Sequence, residues 1–173
     1  MAPLYVDTSC LVRRAELKGP KPTGRSQKAG QPVATALQHT LGSVAMSEVG
    51  VLEFHDVVTG MWRDVNAPND VYDEAWCDSA IDEAMEDIAE GRLQVRPIPV
   101  DGFEQAMTLV TMSTRQFGHK FRVWDAVHLI TAIGWAAELN QTVELWTTDG
   151  DFEGFVGLFP HFAARVTVVN LDR

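Results

Sequence analysis

Apolar residues fall in short runs near both ends of this chain and at helical spacing between them. Leu4-Tyr-Val6 follows Pro3 and stops at Asp7, which predicts a buried strand over 3–6. Val44–Ser47, Val143–Thr147 and Val166–Asn170 read the same way. Leu93–Val100 also has strand character, but Pro97 and Pro99 remove donors and push it toward a short strand or a sheet edge. From 50 to 62, Val51, Leu52, Val58 and Met61 or Trp62 recur at helical spacing, and Asn66–Asp70 breaks the pattern. A second helix is predicted over about 70–89. Its apolar stripe is Tyr72, Trp76, Cys77, Ile81, Ala84, Met85 and Ile88, its other face is acidic and solvated, and Gly91 closes it. Asp101-x-x-Glu104 has the form of a capping box opening a third helix, which Gly118 ends. Arg122–Leu139 is a helix rich in small residues, suited to lying close on a sheet. Residues 149–159 read as turn and short helix. The stretch 19–32 carries three Pro and three Gly and reads as a surface loop, followed by a short helix over 32–41.

Strands alternating with helices imply right-handed crossovers and an α/β fold, a mostly parallel sheet with helices on both faces. At 173 residues the chain is expected to form a single domain over 1–173 with a sizeable core.

Charge sharpens this picture. The net charge of −10 argues against a general nucleic-acid-coating protein. The charges are unevenly spread, however. Arg13, Arg14, Lys18, Lys21, Arg25 and Lys28 make up six of the 14 basic residues, with Glu16 the only acid among them. A basic loop at about 13–32 beside an acidic body with an acidic helix at about 70–90 suits a metal-dependent nuclease; it also suits a plain solvated loop. Cys10 and Cys77 show no metal or redox spacing, and no stretch is long and apolar enough to span a bilayer, so a cytoplasmic protein with no membrane contact is expected.

Parallel α/β sheets build their sites beyond the carboxyl ends of the strands. Asp7 stands at one such end, and Thr147-Thr-Asp149-Gly-Asp151 at another. Asp125 opens the apolar helix after Arg122, and Glu53 lies early in the helix after Val44–Ser47, placed in the first turn of a helix beginning near Gly50. Each acid alone has an ordinary structural explanation: a helix first turn favours acids through the dipole, and Asp-Gly-Asp is a common turn. Four acids gathered at one rim repel one another and demand cations. Oxygen-only ligands select Mg²⁺ or Mn²⁺.

Leu-Tyr-Val-Asp7-Thr-Ser, Ser47 with Glu53, Arg122-Val-Trp-Asp125-Ala-Val-His-Leu-Ile-Thr-Ala132 and Thr147-Thr-Asp149-Gly-Asp-Phe152 resemble the four motifs of PIN-domain nucleases, in that order. Within that family they look like the VapC-type toxins of bacterial toxin–antitoxin pairs. The resemblance implies a PIN-like three-layer α/β/α sandwich with a mostly parallel five-stranded sheet of order 3-2-1-4-5. It implies an Mg²⁺- or Mn²⁺-dependent endoribonuclease acting on an RNA substrate through metal-activated water. It also implies frequent homodimers and a cognate VapB-type antitoxin. By motif position Asp7, Glu53, Asp125 and Asp149 are the metal-binding, catalytic acids. Ser9, Thr147 and Asp151 are auxiliary. The sequence departs from the family at Gly50, where Thr is frequent.

Other residues weigh less. His128, one helical turn past Asp125, fits a satisfied core histidine better than a site residue, and Trp62, Trp76, Trp124, Trp135 and Trp146 fit the core better than base stacking. The six basic residues at 13–28 are candidate RNA contacts. The acidic helix offers a surface to a basic antitoxin segment. A catalytically silent PIN-like module that binds RNA or protein is the main alternative. A phosphatase reading wants Asp-x-Asp where Asp7-Thr-Ser9 stands.

Overall fold

The computed structural model describes residues 2–39, 42–63, 72–118 and 121–173. The expected break at 66–70 and the end of the helix expected over 32–41 lie outside the described residues. A parallel five-stranded sheet runs in the order β3-β2-β1-β4-β5, with β1 at Leu4–Val6, β2 at Val44–Ser47, β3 at Leu93–Arg96, β4 at Val143–Thr147 and β5 at Val166–Asn170. Pro97 ends β3, which is short and lies at the sheet edge as its sequence predicts.

Strand alternation divides the core into two layers. Leu4, Val6, Val44, Met46 and Leu93 face one side. There they meet α1 (Thr8–Leu17), α2 (Gly24–His39), α3 (Glu48–Arg63) and α4 (Glu74–Ala89). Tyr5, Ala45, Val143, Leu145 and Val166 face the other side, against α5 (Gly102–Phe117), α6 (Val123–Leu139), α7 (Asp151–Leu158) and α8 (Pro160–Ala163). The arrangement is a three-layer α/β/α sandwich.

The expected loop over 13–32 is instead the end of α1, a connection, and α2 beginning at Gly24. Two local features override the Gly and Pro signals. Thr23 and Ser26 cap the helix reciprocally: the Ser26 N–H donates to Thr23 Oγ1 at 3.0 Å and the Thr23 N–H to Ser26 Oγ at 2.6 Å. Gly30 lies against α1, where a Cβ would stand 2.5 Å from the Arg13 carbonyl oxygen. It is a close-packing residue rather than a breaker.

Three further expectations need correction. The capping box at Asp101 is not formed: Asp101 takes a left-handed conformation (φ 64°) and its side chain makes no cap bond. The acidic face of α4 is not all solvated, because Asp87 is 2% exposed and pairs with Arg14 and Arg92, whereas Met85, assigned to the buried stripe, is exposed. Trp124 is 47% exposed rather than core, with its ring edge-to-face with Phe103.

Candidate active site

The strand order reverses direction at β1 and β4, and the site lies where these two neighbours end. Asp7 follows β1 and caps α1, accepting the Cys10 N–H at 3.1 Å. Its other donors are hydroxyls: Ser9 Oγ to Oδ1 at 2.6 Å and Thr147 Oγ1 to Oδ2 at 2.6 Å. Burial pushes the Asp7 carboxyl above its ordinary range, and these donors pull it partly back. The cost of a buried acid at a strand end is therefore offset by a helix N-terminus and two hydroxyls.

Asp149 is set by the same β4 terminus. Its N–H donates to Thr147 Oγ1 at 2.9 Å, and the Thr148 N–H donates to Ser9 Oγ at 3.0 Å, so the two strand-end turns are stitched together. Asp151 opens α7, is exposed, and gives its N–H to Asp149 Oδ1 at 2.9 Å. It does not line the cleft described below.

Glu53 comes from the second turn of α3, because that helix opens at Glu48, earlier than the sequence predicts. Ser47 starts the helix there by accepting the Gly50 N–H at 2.9 Å. Glu53 Oε2 accepts from Thr8 Oγ1 at 2.6 Å and stands 3.3 Å from His128 Nε2. Its carboxyl is held below the usual range, first by the His128 hydrogen bond, against a cost of burial. Glu48 is elsewhere, accepting the Ile98 N–H at 3.2 Å.

Asp125 lies in the first turn of α6. Its Oδ2 is buried and has no hydrogen-bond partner among the described residues. Burial, and then the charge of Asp149, push this carboxyl up to about 7, with Asp7 and Glu53 adding to the shift and His128 opposing it. Asp125 is therefore the acid on which the other three act.

They share a cleft of about 180 Å³ lined by Asp7, Thr8, Ser9, Glu53, Arg122, Asp125, His128 and Asp149 over Val12 and Val57. All four expected acids and Ser9 thus come together, with Thr147 directly behind Asp7. An all-oxygen donor set with one unpartnered buried oxygen suits a hard cation. As the side chains stand, no group of three His, Cys, Asp or Glu among the described residues is arranged to hold an ion, so the donors fit but are not preassembled.

No family model matches this chain, and no curated protein matches it. Solved structures do. A chain in the structure of FitAB bound to an IR36 DNA fragment superposes with a TM-score of 0.59 at 19% identity, over 98% of this chain and 96% of that one. A chain in the crystal structure of FitAcB from Neisseria gonorrhoeae gives a TM-score of 0.52 at 18% identity, over 97% of each chain. The fold is PIN-like.

Within this PIN-like frame the basic cluster is dispersed. Arg14, expected to meet RNA, is 7% exposed and pairs internally with Asp87 and Glu83. Its long side chain reaches across from α1 to α4. Arg13 pairs with Glu16 at 2.7 Å and Lys18 with Glu83, while Lys21 is exposed. Arg25 pairs with Asp172, and Lys28 donates to the Asp172 carbonyl at 2.9 Å.

Three lining residues carry little signal in the sequence. Thr8 stands out only as a hydroxyl next to Asp7, and Arg122 only as the first residue of a motif. His128 is buried, as a core histidine would be, yet it touches Glu53 and Thr8. Among the described residues no helix is long and apolar enough to cross a membrane. Cys10 and Cys77 are free and buried.

Proposed function

We propose that this chain is a divalent-cation-dependent endoribonuclease acting in the cytoplasm, with Mg²⁺ or Mn²⁺ held by Asp7, Glu53, Asp125 and Asp149. We further propose that it is the toxin of a toxin–antitoxin pair, working as a homodimer and blocked by a VapB-type antitoxin. The observation that carries the chemistry is the convergence of four carboxylates on one cleft while Asp125 Oδ2 is buried without a partner. The toxin reading rests on the four motifs and on the PIN-like fold shared with the FitAB chain.

A bound Mg²⁺ or Mn²⁺ lowers the pKa of a water and offsets charge building on a phosphodiester. The protein's residues do the rest. Ser9 and Thr147 hold the two oxygens of Asp7 in one orientation. Thr8 does the same for Glu53. Asp125, whose carboxyl is raised to about 7, would hold the cation through Oδ2 and would release its proton on doing so. Arg122, on the cleft wall, presents a planar fork suited to a phosphate. Lys18 and Lys21 between α1 and α2, and Arg25 and Lys28 on α2, are exposed and give a strongly acidic protein local attraction for RNA.

The test is incubation of the purified protein with total cellular RNA and Mg²⁺ or Mn²⁺, with the new ends mapped. Discrete cuts leaving 5′-phosphates, absent with Asp7→Asn, are expected. Undegraded RNA under every cation condition would contradict the reading.

A further inference from the structure

His128 lies on α6 one turn past Asp125 and is 1% exposed. Its two ring nitrogens face different neighbours. Nδ1 is 3.0 Å from the Tyr5 hydroxyl and 3.3 Å from the Ser47 hydroxyl. Nε2 is 3.3 Å from Glu53 Oε2 and 3.3 Å from Thr8 Oγ1. The ring occupies space that a side chain at residue 50 would otherwise fill. A Cβ on Gly50 would stand 2.6 Å from His128 Cε1 and 2.7 Å from Met46 Cε. Gly50 and Glu53 are three residues apart on α3, so the missing side chain opens a path for the imidazole to the carboxylate one turn on.

The partners fix which nitrogen carries the hydrogen. Glu53 is held ionised, so its Oε2 can only accept, and the 3.3 Å approach of Nε2 places the ring hydrogen there. Nδ1 is then left to accept, and the buried, protonated Tyr5 hydroxyl 3.0 Å away is placed to donate to it. Thr8 Oγ1 donates to the same Glu53 oxygen at 2.6 Å. Two donors on Oε2 stop the carboxylate from turning about its last bond, which also sets the direction of Oε1.

We propose that His128 is a positioning residue: with its hydrogen held on Nε2 by Glu53 and Tyr5 and its ring admitted by Gly50, it fixes the Glu53 carboxylate for cation binding. This rests on reading the cleft as a cation-dependent nuclease site. A histidine that merely fills the core would support stability and leave cation affinity alone.

The experiment uses the full chain and Mn²⁺ as the probe. His128→Gln keeps an amide nitrogen near the place of Nε2, and His128→Asn keeps one near the place of Nδ1. Mn²⁺ dissociation constants are measured by calorimetry for both, and nitrogen chemical shifts of the imidazole are read in the metal-free wild type. The expected results are a hydrogen on Nε2, Mn²⁺ binding about 10- to 100-fold weaker in His128→Asn, and recovery of most of that affinity in His128→Gln. Gly50→Ala should weaken Mn²⁺ binding similarly and add little when combined with His128→Asn, because both act on one interaction. A hydrogen on Nδ1, equal affinity in His128→Asn and wild type, or equal weakening in the Asn and Gln variants would overturn the proposal. Should the His128 variants fail to fold, Tyr5→Phe keeps the ring volume and removes the donor. It should reduce the share of the hydrogen on Nε2 and weaken Mn²⁺ binding, and no change in either overturns the proposal. A wild type that binds no Mn²⁺ overturns both this role and the cation reading, whereas Mn²⁺ binding that His128→Asn leaves intact overturns this role alone.

Discussion

Thr147 donates its hydroxyl hydrogen to Asp7 Oδ2 at 2.6 Å across 140 residues of sequence, and the hydroxyl oxygen accepts the Asp149 N–H at 2.9 Å. The register of β1 on β4 makes this possible: Val6 pairs with Trp146, so the residues just beyond the two strands meet. One buried hydroxyl therefore sets the orientation of two of the four acids.

Thr147→Val keeps the shape and removes both bonds. It should cost about 1–3 kcal/mol of stability, because the buried Asp7 carboxylate is left one donor short. Thr147→Ser should recover most of this. Chemical denaturation curves check it, and a Val variant as stable as wild type would contradict the bonding described.

Asp125→Asn should melt higher than wild type in EDTA at pH 8. The Asp125 carboxyl is raised from 3.8 to about 7 by burial and by Asp149, so between these values the native state holds a proton that the unfolded chain has released. That contribution to stability is complete below the unfolded value and is lost as pH rises through the folded one. Above pH 7 the wild type carries the strain in full. The neutral amide relieves it, with a gain on the order of 2 kcal/mol, or roughly 4–8 °C in Tm. Mg²⁺ should stabilise wild type more than the variant. Melting curves at low, fixed ionic strength decide it. A variant that melts lower in EDTA and responds equally to Mg²⁺ would make Asp125 a plain helix-terminal acid.

Glu53→Gln should abolish cleavage, whereas Glu48→Gln should retain it. Glu48 accepts the Ile98 N–H in the chain leaving β3, so its replacement should cost about 1 kcal/mol and little activity. Parallel cleavage and stability assays separate the two, and the reverse pattern would move the site to Glu48.

The strands were legible because short apolar runs end abruptly at Asp7, Ser47 and Thr147, and the acids at or near those ends mark the site. What the sequence hides is set by distant partners. Arg14 reads as one more solvated cation until α4 brings Glu83 and Asp87 to it. Gly30 reads as a breaker until the Arg13 carbonyl is seen beside it. His128 reads as core, and is core, but its partners Tyr5 and Glu53 lie 123 and 75 residues away. Trp124 reads as core by composition, yet its place beside Phe103 at the start of α6 leaves it half exposed.

Arg14 and the exposed cations should part company on mutation. Arg14→Ala breaks a buried ion cluster and should cost about 3 kcal/mol of stability. Replacing Lys18, Lys21 and Arg25 together should instead flatten the salt dependence of RNA binding, by roughly 0.7 in the log–log slope for each phosphate that is no longer neutralised. Fluorescence-anisotropy titrations over a salt series measure it. An unchanged slope assigns the segment to a protein partner or to solvent.

Everything proposed for the four-carboxylate cleft depends on its working through a bound cation. The most direct measurement is cleavage of one labelled RNA as a function of free Mg²⁺ and Mn²⁺, starting from protein stripped with EDTA. A cation-dependent site predicts no cleavage at zero free cation, saturable recovery as either ion is added, and no recovery in Asp7→Asn at any concentration. Cleavage that is undiminished in excess EDTA would contradict it.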